Sequence, residues 1–128
     1  MKIITIIAAL SVPLTAAIGK PVSMPCEGTM TYYTSDGWET VARHFVIAVD
    51  DEKGTAGITM VESGWSERDS PAVFLPDRVQ WAVPWVTSDR MATLDRVTLR
   101  FRSVSSVSPA DVWEAQCQIA KAVEGAQF

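Results

Sequence analysis

Apolar and polar residues alternate most clearly in the last third of the chain. Leu99 and Phe101 alternate with the polar residues before, between and after them, which is the two-residue period of a strand with one buried and one solvent-exposed face. Upstream, Ala92 and Leu94 occupy the other parity. A bulge or change of direction within residues 95–98 would bring both apolar sets to one face. The pattern therefore predicts an antiparallel hairpin.

A second hairpin is predicted in the first half of the chain. Residues 41–49 are strand-like, residues 50–54 read DDEKG and form a charged turn, and residues 55–61 return as the partner strand. Residues 45–49 are apolar on both parities, which predicts a strand covered on both faces. Further strands are predicted at residues 26–34, 72–75 and 79–83.

Residues 62–76 are the least regular part of the sequence. They contain Ser63-Gly64-Trp65 and the charged run at 67–69. A loop of this length is uncommon in a compact domain, and long loops often carry binding sites. Two interpretations stay open for this predicted loop: a solvated excursion and a binding loop.

The tail fits two different structures. Ser108-Pro109 followed by an acidic residue, with apolar residues three or four apart as far as Gly125, is typical of a helix. Trp113, Ala115 and Cys117 also alternate, as in a closing strand. The predicted fold is therefore mainly β: a small antiparallel meander forming a barrel or a sandwich, with a possible C-terminal helix over residues 109–124.

The first 19 residues have the layout of a secretory signal peptide. Lys2 precedes an apolar run at 3–12, and small residues follow with cleavage expected after Ala17 or Gly19. The run is well short of the roughly 20 residues that span a bilayer. We therefore expect a single domain at residues 20–128 in the periplasm or the secreted space, with no membrane association after cleavage.

The charge distribution narrows the choice of partner. The chain has a formal net charge of −4, and its arginines are spread among the carboxylates. Nucleic acid and anionic membranes are therefore not expected as partners. The expected partner is a protein or a carbohydrate ligand.

Two cysteines, Cys26 and Cys117, are present. In an exported chain such a pair favours one disulfide, because that compartment is oxidising. Closing a loop of about 90 residues would stabilise the fold by roughly 4–5 kcal/mol in the chain-entropy model. Two free or catalytic thiols are the alternative, although neither cysteine has an activating neighbourhood.

Enzymatic chemistry finds little support in the sequence. His44 is the only histidine and lies in a predicted strand, where a solvent-facing side chain or one with a single hydrogen bond is expected. Residues 50–52 offer carboxylates but lack the spacing of a calcium loop. We predict a non-enzymatic protein with no cofactor and no metal.

Tryptophan is abundant, with five residues in a small domain. Trp81 is expected in the core. Trp65 and Trp85 are harder to bury by pattern, and together with Arg68 they are the candidate binding residues for a sugar or a protein. The competing interpretation is that a long loop folds its own tryptophan back onto the sheet.

Asp95 and Arg96 are predicted to be a structural charge pair. Neighbours in a strand point to opposite faces, and a buried charge requires a partner. We expect Asp95 to accept hydrogen bonds from turn amides and Arg96 to lie across Asp89 or Glu114. An anion site is the alternative function.

Five short motifs occur in order along the mature chain. They are Cys26-x-Gly28-Thr29-Met30, the turn at Val49-Asp50 leading to Gly57-Ile58, Val79-x-Trp81, Thr93-Leu94-Asp95-Arg96-Val97-Thr98, and Trp113-x-x-x-Cys117-x-x-Ala120. In this order they resemble an uncharacterised family of small exported proteobacterial proteins. The resemblance implies a sheet-dominated, disulfide-closed fold with an extended Cys117 segment, and it implies no known activity. Leu99 stands where that family usually has the glycine of a Thr-Gly turn.

A fainter similarity is to periplasmic lysozyme inhibitors, which are small barrels with an early and a late cysteine and a Ser-Gly loop. Ser63-Gly64 lies on such a predicted loop, although the aromatic residue that those inhibitors have at a set spacing after the loop is missing. The similarity implies an alternative function, inhibition of a hydrolase such as lysozyme.

Overall fold

Eight antiparallel strands close into a barrel. The computed structural model describes residues 21–85 and 89–119, and within them each strand pairs with the next while β1 pairs with β8. The strands are β1 (Val22–Thr34), β2 (Gly37–Asp50), β3 (Thr55–Met60), β4 (Ser66–Phe74), β5 (Arg78–Val83), β6 (Arg90–Asp95), β7 (Arg100–Ser105) and β8 (Val112–Cys117). This confirms the predicted β meander and selects the barrel over the sandwich.

The predicted signal peptide and possible membrane-spanning helices concern the chain outside the barrel strands. The predicted signal peptide, residues 1–19, lies outside the described residues together with both of its cleavage sites. In the part of the chain that the structure describes, there is no helix with the length and hydropathy needed to cross a bilayer.

The hairpin of β6 and β7 forms as predicted. Leu94 lies opposite Phe101, and both side chains point into the core. Asp95 Oδ1 accepts hydrogen bonds from the backbone N–H groups of Val97 and Thr98, both at 2.8 Å, as expected. These bonds stabilise the carboxylate and lower the pKa of Asp95. Leu99 ends the turn.

Leu99 takes a conformation that favours glycine. Its φ is +63°, which is costly for a residue with a Cβ. Its side chain is buried, however, and its N–H donates to Asp95 O at 2.8 Å. Its carbonyl accepts from Cys117 N at 2.9 Å, so the same residue links the turn to β8. Burial of the side chain offsets the backbone cost.

The hairpin of β2 and β3 is also confirmed, but the prediction that β2 is covered on both faces is wrong. Phe45, Ile47 and Val49 point into the core, whereas Val46 and Ala48 are only half-buried on the outer wall. A single closed sheet has just one covered face, its interior, so apolar residues on the other parity stay partly exposed.

The predicted loop at 62–76 is largely a strand. Residues 61–65 connect β3 to β4, β4 covers residues 66–74, and residues 75–76 begin the next connection. Between Ala56 and Ile58 the register shifts, and β4 contains one more residue than β3 across this bulge. The extra residue breaks the two-residue period, which is why the alternation is hidden in the sequence.

The tail closes the barrel as a strand. β8 pairs with β7 and, from Trp113 to Cys117, with β1, so the helical alternative is wrong for residues 112–117; residues 120–124 lie outside the described part. Cys26 lies directly opposite Cys117, and the two form the predicted disulfide. Gly28 permits the close contact, because a Cβ there would collide with the backbone of Glu114 and Ala115.

The barrel has two distinct ends. The turns at 50–54 and 95–99 lie at the closed end, and Cys117 of the disulfide donates its N–H to Leu99 O in the second of these turns at 2.9 Å. At the other end, which we call the mouth, β3 is joined to β4 by residues 61–65, β5 ends and β8 begins. The core between the ends consists of inward-facing residues of all eight strands.

Candidate functional site

A two-stranded ribbon projects beyond the barrel at the mouth. β1 and β2 remain paired as far as Thr34 and Gly37, but their pairing with β8 and β3 stops at Met30 and Phe45. Among the eight described strands, none pairs with either edge of the ribbon beyond these residues. Its inner face continues the barrel wall above the mouth.

Three tryptophans fill the mouth. Trp65, Trp85 and Trp113 contact one another edge to face, with ring centroids 4.8, 5.0 and 6.0 Å apart. Trp113 is buried, while Trp65 and Trp85 are half-buried. Edge-to-face contacts of this kind add to the stability gained from burying the rings. The cluster separates the barrel core from the surface above it.

An open cavity of about 370 Å³ lies against this cluster. Its volume is within the range of about 300–1,000 Å³ that small-molecule sites have. The wall combines thioether and indole groups with charged and hydroxyl groups. It is lined by Met30, Tyr32, Arg43, Met60, Glu62, Ser63, Trp85, Asp111 and Trp113.

A buried ion pair supports one side of the cavity. Arg90 Nη1 donates to Asp111 Oδ1 at 2.7 Å, and Nη2 donates to Asp111 O at 2.8 Å. Nε and Nη2 donate to the hydroxyl and carbonyl oxygens of Ser103 at 2.9 and 3.0 Å. The guanidinium carbon lies 4.2 Å from the Trp113 ring centroid, a cation–π contact. Burial lowers the pKa of Arg90, and Asp111 opposes this shift.

A second ion pair holds the turn at the rim. Glu62 accepts from the backbone N–H of His44 at 2.9 and 3.1 Å, and its Oε2 lies 2.7 Å from Nδ1 of the same residue. Glu27 Oε2 is 3.6 Å from His44 Nε2. These hydrogen bonds lower the pKa of Glu62 to about 2 and raise that of His44. His44 therefore fixes the position of residues 61–65.

The structure separates the predicted binding residues. Trp65 and Trp85 are brought into direct contact at the mouth. Arg68 is exposed on β4, and within residues 21–85 and 89–119 it makes no ion pair and no ring contact. The mouth, rather than a long loop, is the candidate site.

The contacts of Arg96 differ from the expectation. Its Nη1 donates to Leu75 O at 2.7 Å, and its guanidinium carbon is 5.8 Å from the Phe74 ring centroid. Glu114 instead pairs with Arg102 at 3.4 Å. Arg96 thus fastens the β4–β5 connection at the closed end of the barrel, because β6 ends beside that connection.

Sequence reasoning missed four charged residues of the mouth: Arg43, Glu62, Arg90 and Asp111. For two of these residues, the alternation of buried and exposed positions along the strand indicates an inward-facing side chain. Arg43 has the parity of the buried Phe45, and Arg90 has that of Ala92. An arginine at an inward position of an alternating strand is a candidate for a buried contact. For Glu62 and Asp111, which lie outside the strands, the sequence offers no comparable signal.

The arrangement offers apolar surface and hydrogen-bonding groups rather than a metal centre. In the described ranges, no three His, Cys, Asp or Glu side chains are grouped in a way that would hold a metal ion. Comparison with known proteins gives no relative: no family model, no curated protein and no solved structure matches the chain.

Proposed function

We propose that the protein is a non-enzymatic binding module of the periplasm or the secreted space, with the mouth of the barrel as its site. The observation that carries this proposal is the cavity of about 370 Å³ between the tryptophan cluster and the ribbon. Aromatic and thioether groups beside charged and hydroxyl groups are typical of a ligand pocket. The expected ligand is a carbohydrate or a protein side chain. The disulfide is compatible with an oxidising environment.

The test is a titration followed by NMR. The isotope-labelled protein is titrated with neutral and acidic oligosaccharides, and backbone and indole signals are recorded. Shifts confined to the mouth, and abolished by Trp85→Ala, support the proposal. Shifts confined to the outer wall of the barrel would contradict it.

Trp38→Ala is the matched control variant. Trp38 is 47% exposed on the ribbon, contacts Tyr33 with ring centroids 5.3 Å apart, and does not line the cavity. If Trp38→Ala also abolished binding, the loss in Trp85→Ala would be a general consequence of removing a tryptophan and would not locate the site at the mouth. Melting curves of both proteins accompany the titration, since Trp85 packs against the core and its truncation also reduces stability.

A second candidate function is inhibition of a hydrolase such as lysozyme. Ser63 and Gly64 are exposed at the rim, and a Cβ built on Gly64 would have no atom within 4 Å. An exposed, narrow turn held by the His44–Glu62 contact suits insertion into a cleft. A lysozyme assay tests this directly, with Ser63→Arg expected to abolish inhibition and Asp51→Arg, at the closed end, expected to retain it. Absence of inhibition by the wild-type protein rejects this candidate.

A further inference from the structure

Of the charged residues that line the cavity, the two carboxylates have ion-pair partners and the arginine differs from them. Glu62 is bound by His44 and Asp111 by Arg90, at 2.7 Å in both cases. Arg43 also lines the cavity, but among the described residues no carboxylate lies within ion-pair distance of it. Its Nη1 donates to the carbonyl oxygen of the adjacent Ala42, at 2.9 Å. Within residues 21–85 and 89–119, Arg43 is therefore a positive charge that faces the cavity without a partner carboxylate.

The position of Arg43 is set by strand pairing. It lies in β2 opposite Gly28, inside the continuous pairing of β1 with β2. Its side chain is half-buried and shares the inward parity of Phe45. A guanidinium presents donors in a planar fork that matches the two oxygens of a carboxylate. The position suits recognition of an anionic group on a ligand that enters the mouth.

The remaining polar groups suit hydroxyl groups. Carboxylate oxygens accept several hydrogen bonds each, so Glu62 and Asp111 retain acceptor capacity beyond their contacts with His44 and Arg90. Ser63 Oγ accepts from Trp65 N at 3.2 Å and keeps its own hydroxyl proton for donation. Acceptors and a hydroxyl beside an indole are the groups that bind the hydroxyls and the C–H face of a sugar ring.

We propose that the mouth binds an acidic sugar of the uronic acid class, with the sugar carboxylate on Arg43, its hydroxyls on Glu62, Ser63 and Asp111, and its ring against Trp85. This inference rests on the proposed function, because it assumes that the mouth is the ligand site. It goes further by naming Arg43 as the residue that selects acidic over neutral sugars.

The test compares two sugars that differ at one carbon. Methyl β-D-glucuronide carries a carboxylate where methyl β-D-glucoside carries a hydroxymethyl group. NMR titration of the wild-type protein is expected to show tighter binding of the glucuronide by about 10- to 100-fold, the range for a hydrogen bond to a charged group. Arg43→Gln is expected to reduce glucuronide affinity to that of the glucoside. Arg43→Lys should restore it in part, since a lysine keeps the charge without the planar fork.

Arg100→Gln is the matched control, because it removes the same charge from an exposed position of β7 at the closed end of the barrel. It should leave glucuronide binding unchanged, and equal losses in both variants would overturn the inference. The methyl ester of the glucuronide gives a second readout that needs no variant. It should bind as weakly as the glucoside, which keeps the test valid if Arg43→Gln fails to fold.

The outcomes separate this inference from the proposed function. Equal binding of the two sugars at the mouth overturns the role of Arg43 and leaves the mouth as a binding site. Absence of shifts with either sugar overturns the acidic-sugar inference, while a protein ligand stays under test through Trp85→Ala. Shifts at the mouth with the glucuronide alone, lost in Arg43→Gln, support both.

Discussion

The two ends of the barrel are built in different ways. At the closed end, the backbone is fixed by a disulfide, by the hydrogen bonds of Asp95 to its turn, and by Arg96 on the β4–β5 connection. At the mouth, side-chain contacts replace these backbone constraints. Three tryptophans pack against one another, and two ion pairs lie beside an open cavity. Covalent and backbone constraints at one end leave the other end free to present side chains. The contrast predicts that stability and binding can be changed separately.

Removal of the disulfide is expected to have the largest effect on stability. The double variant Cys26→Ala/Cys117→Ala releases a constraint between residues 91 positions apart. The free energy of unfolding should fall by about 4–5 kcal/mol in the chain-entropy model. Urea unfolding of the variant and of the oxidised and reduced wild type measures this. Ligand affinity of the folded variant should be unchanged, and a loss of affinity at equal folding would contradict the separation of the two ends.

Breaking the buried ion pair at the mouth is expected to have the next largest effect. Asp111→Ala leaves the Arg90 guanidinium, whose side chain is 1% exposed, without its carboxylate partner, at a cost of about 3 kcal/mol. Arg90→Met should cost less, because it leaves no buried charge and Asp111 can still contact water. Urea unfolding of both variants gives the order. A larger loss in Arg90→Met would contradict this account of the pair.

Loss of the Glu62 contact is expected to have the smallest effect on stability and a clear pH dependence. The lowered pKa of Glu62 gives a contribution present above its ordinary value of 4.5 and lost as pH falls towards about 2. The raised pKa of His44 gives a contribution present below 6.5 and lost as pH rises through the folded value. The melting difference between wild type and Glu62→Gln should therefore be largest between pH 4.5 and 6.5.

Glu39→Gln serves as the control for this pH profile. Glu39 is an exposed carboxylate on the ribbon, opposite Tyr32, and makes no ion pair in the part of the chain that the structure describes. Its melting difference should be small and flat across the same range. A flat profile for Glu62→Gln as well would contradict the assigned role of His44 in fixing the rim turn.

Local patterns predicted most of the strands but few of the side chains at the mouth. The hairpins at 50–54 and 95–99 were predictable, because alternation and turn residues act over a few positions. β4 was hidden by its bulge, which interrupts the alternation. Composition and pattern single out Trp65 and Trp85 one at a time, whereas their contact with Trp113 joins three strand ends that are distant in sequence. Arg43 and Arg90 had only their parity to indicate an inward position.

The β class, the main hairpins and the cysteine pair could be predicted from the amino-acid sequence, because periodicity, turn chemistry and composition are properties of short segments and of the whole chain. The tertiary structure alone decided that residues 112–117 form a strand. Their spacing fits a helix and a strand equally well, and pairing with β1 and β7 settles the choice by satisfying their backbone groups on both edges. It alone also decided which charges meet at the mouth, since burial and partners depend on how the barrel closes.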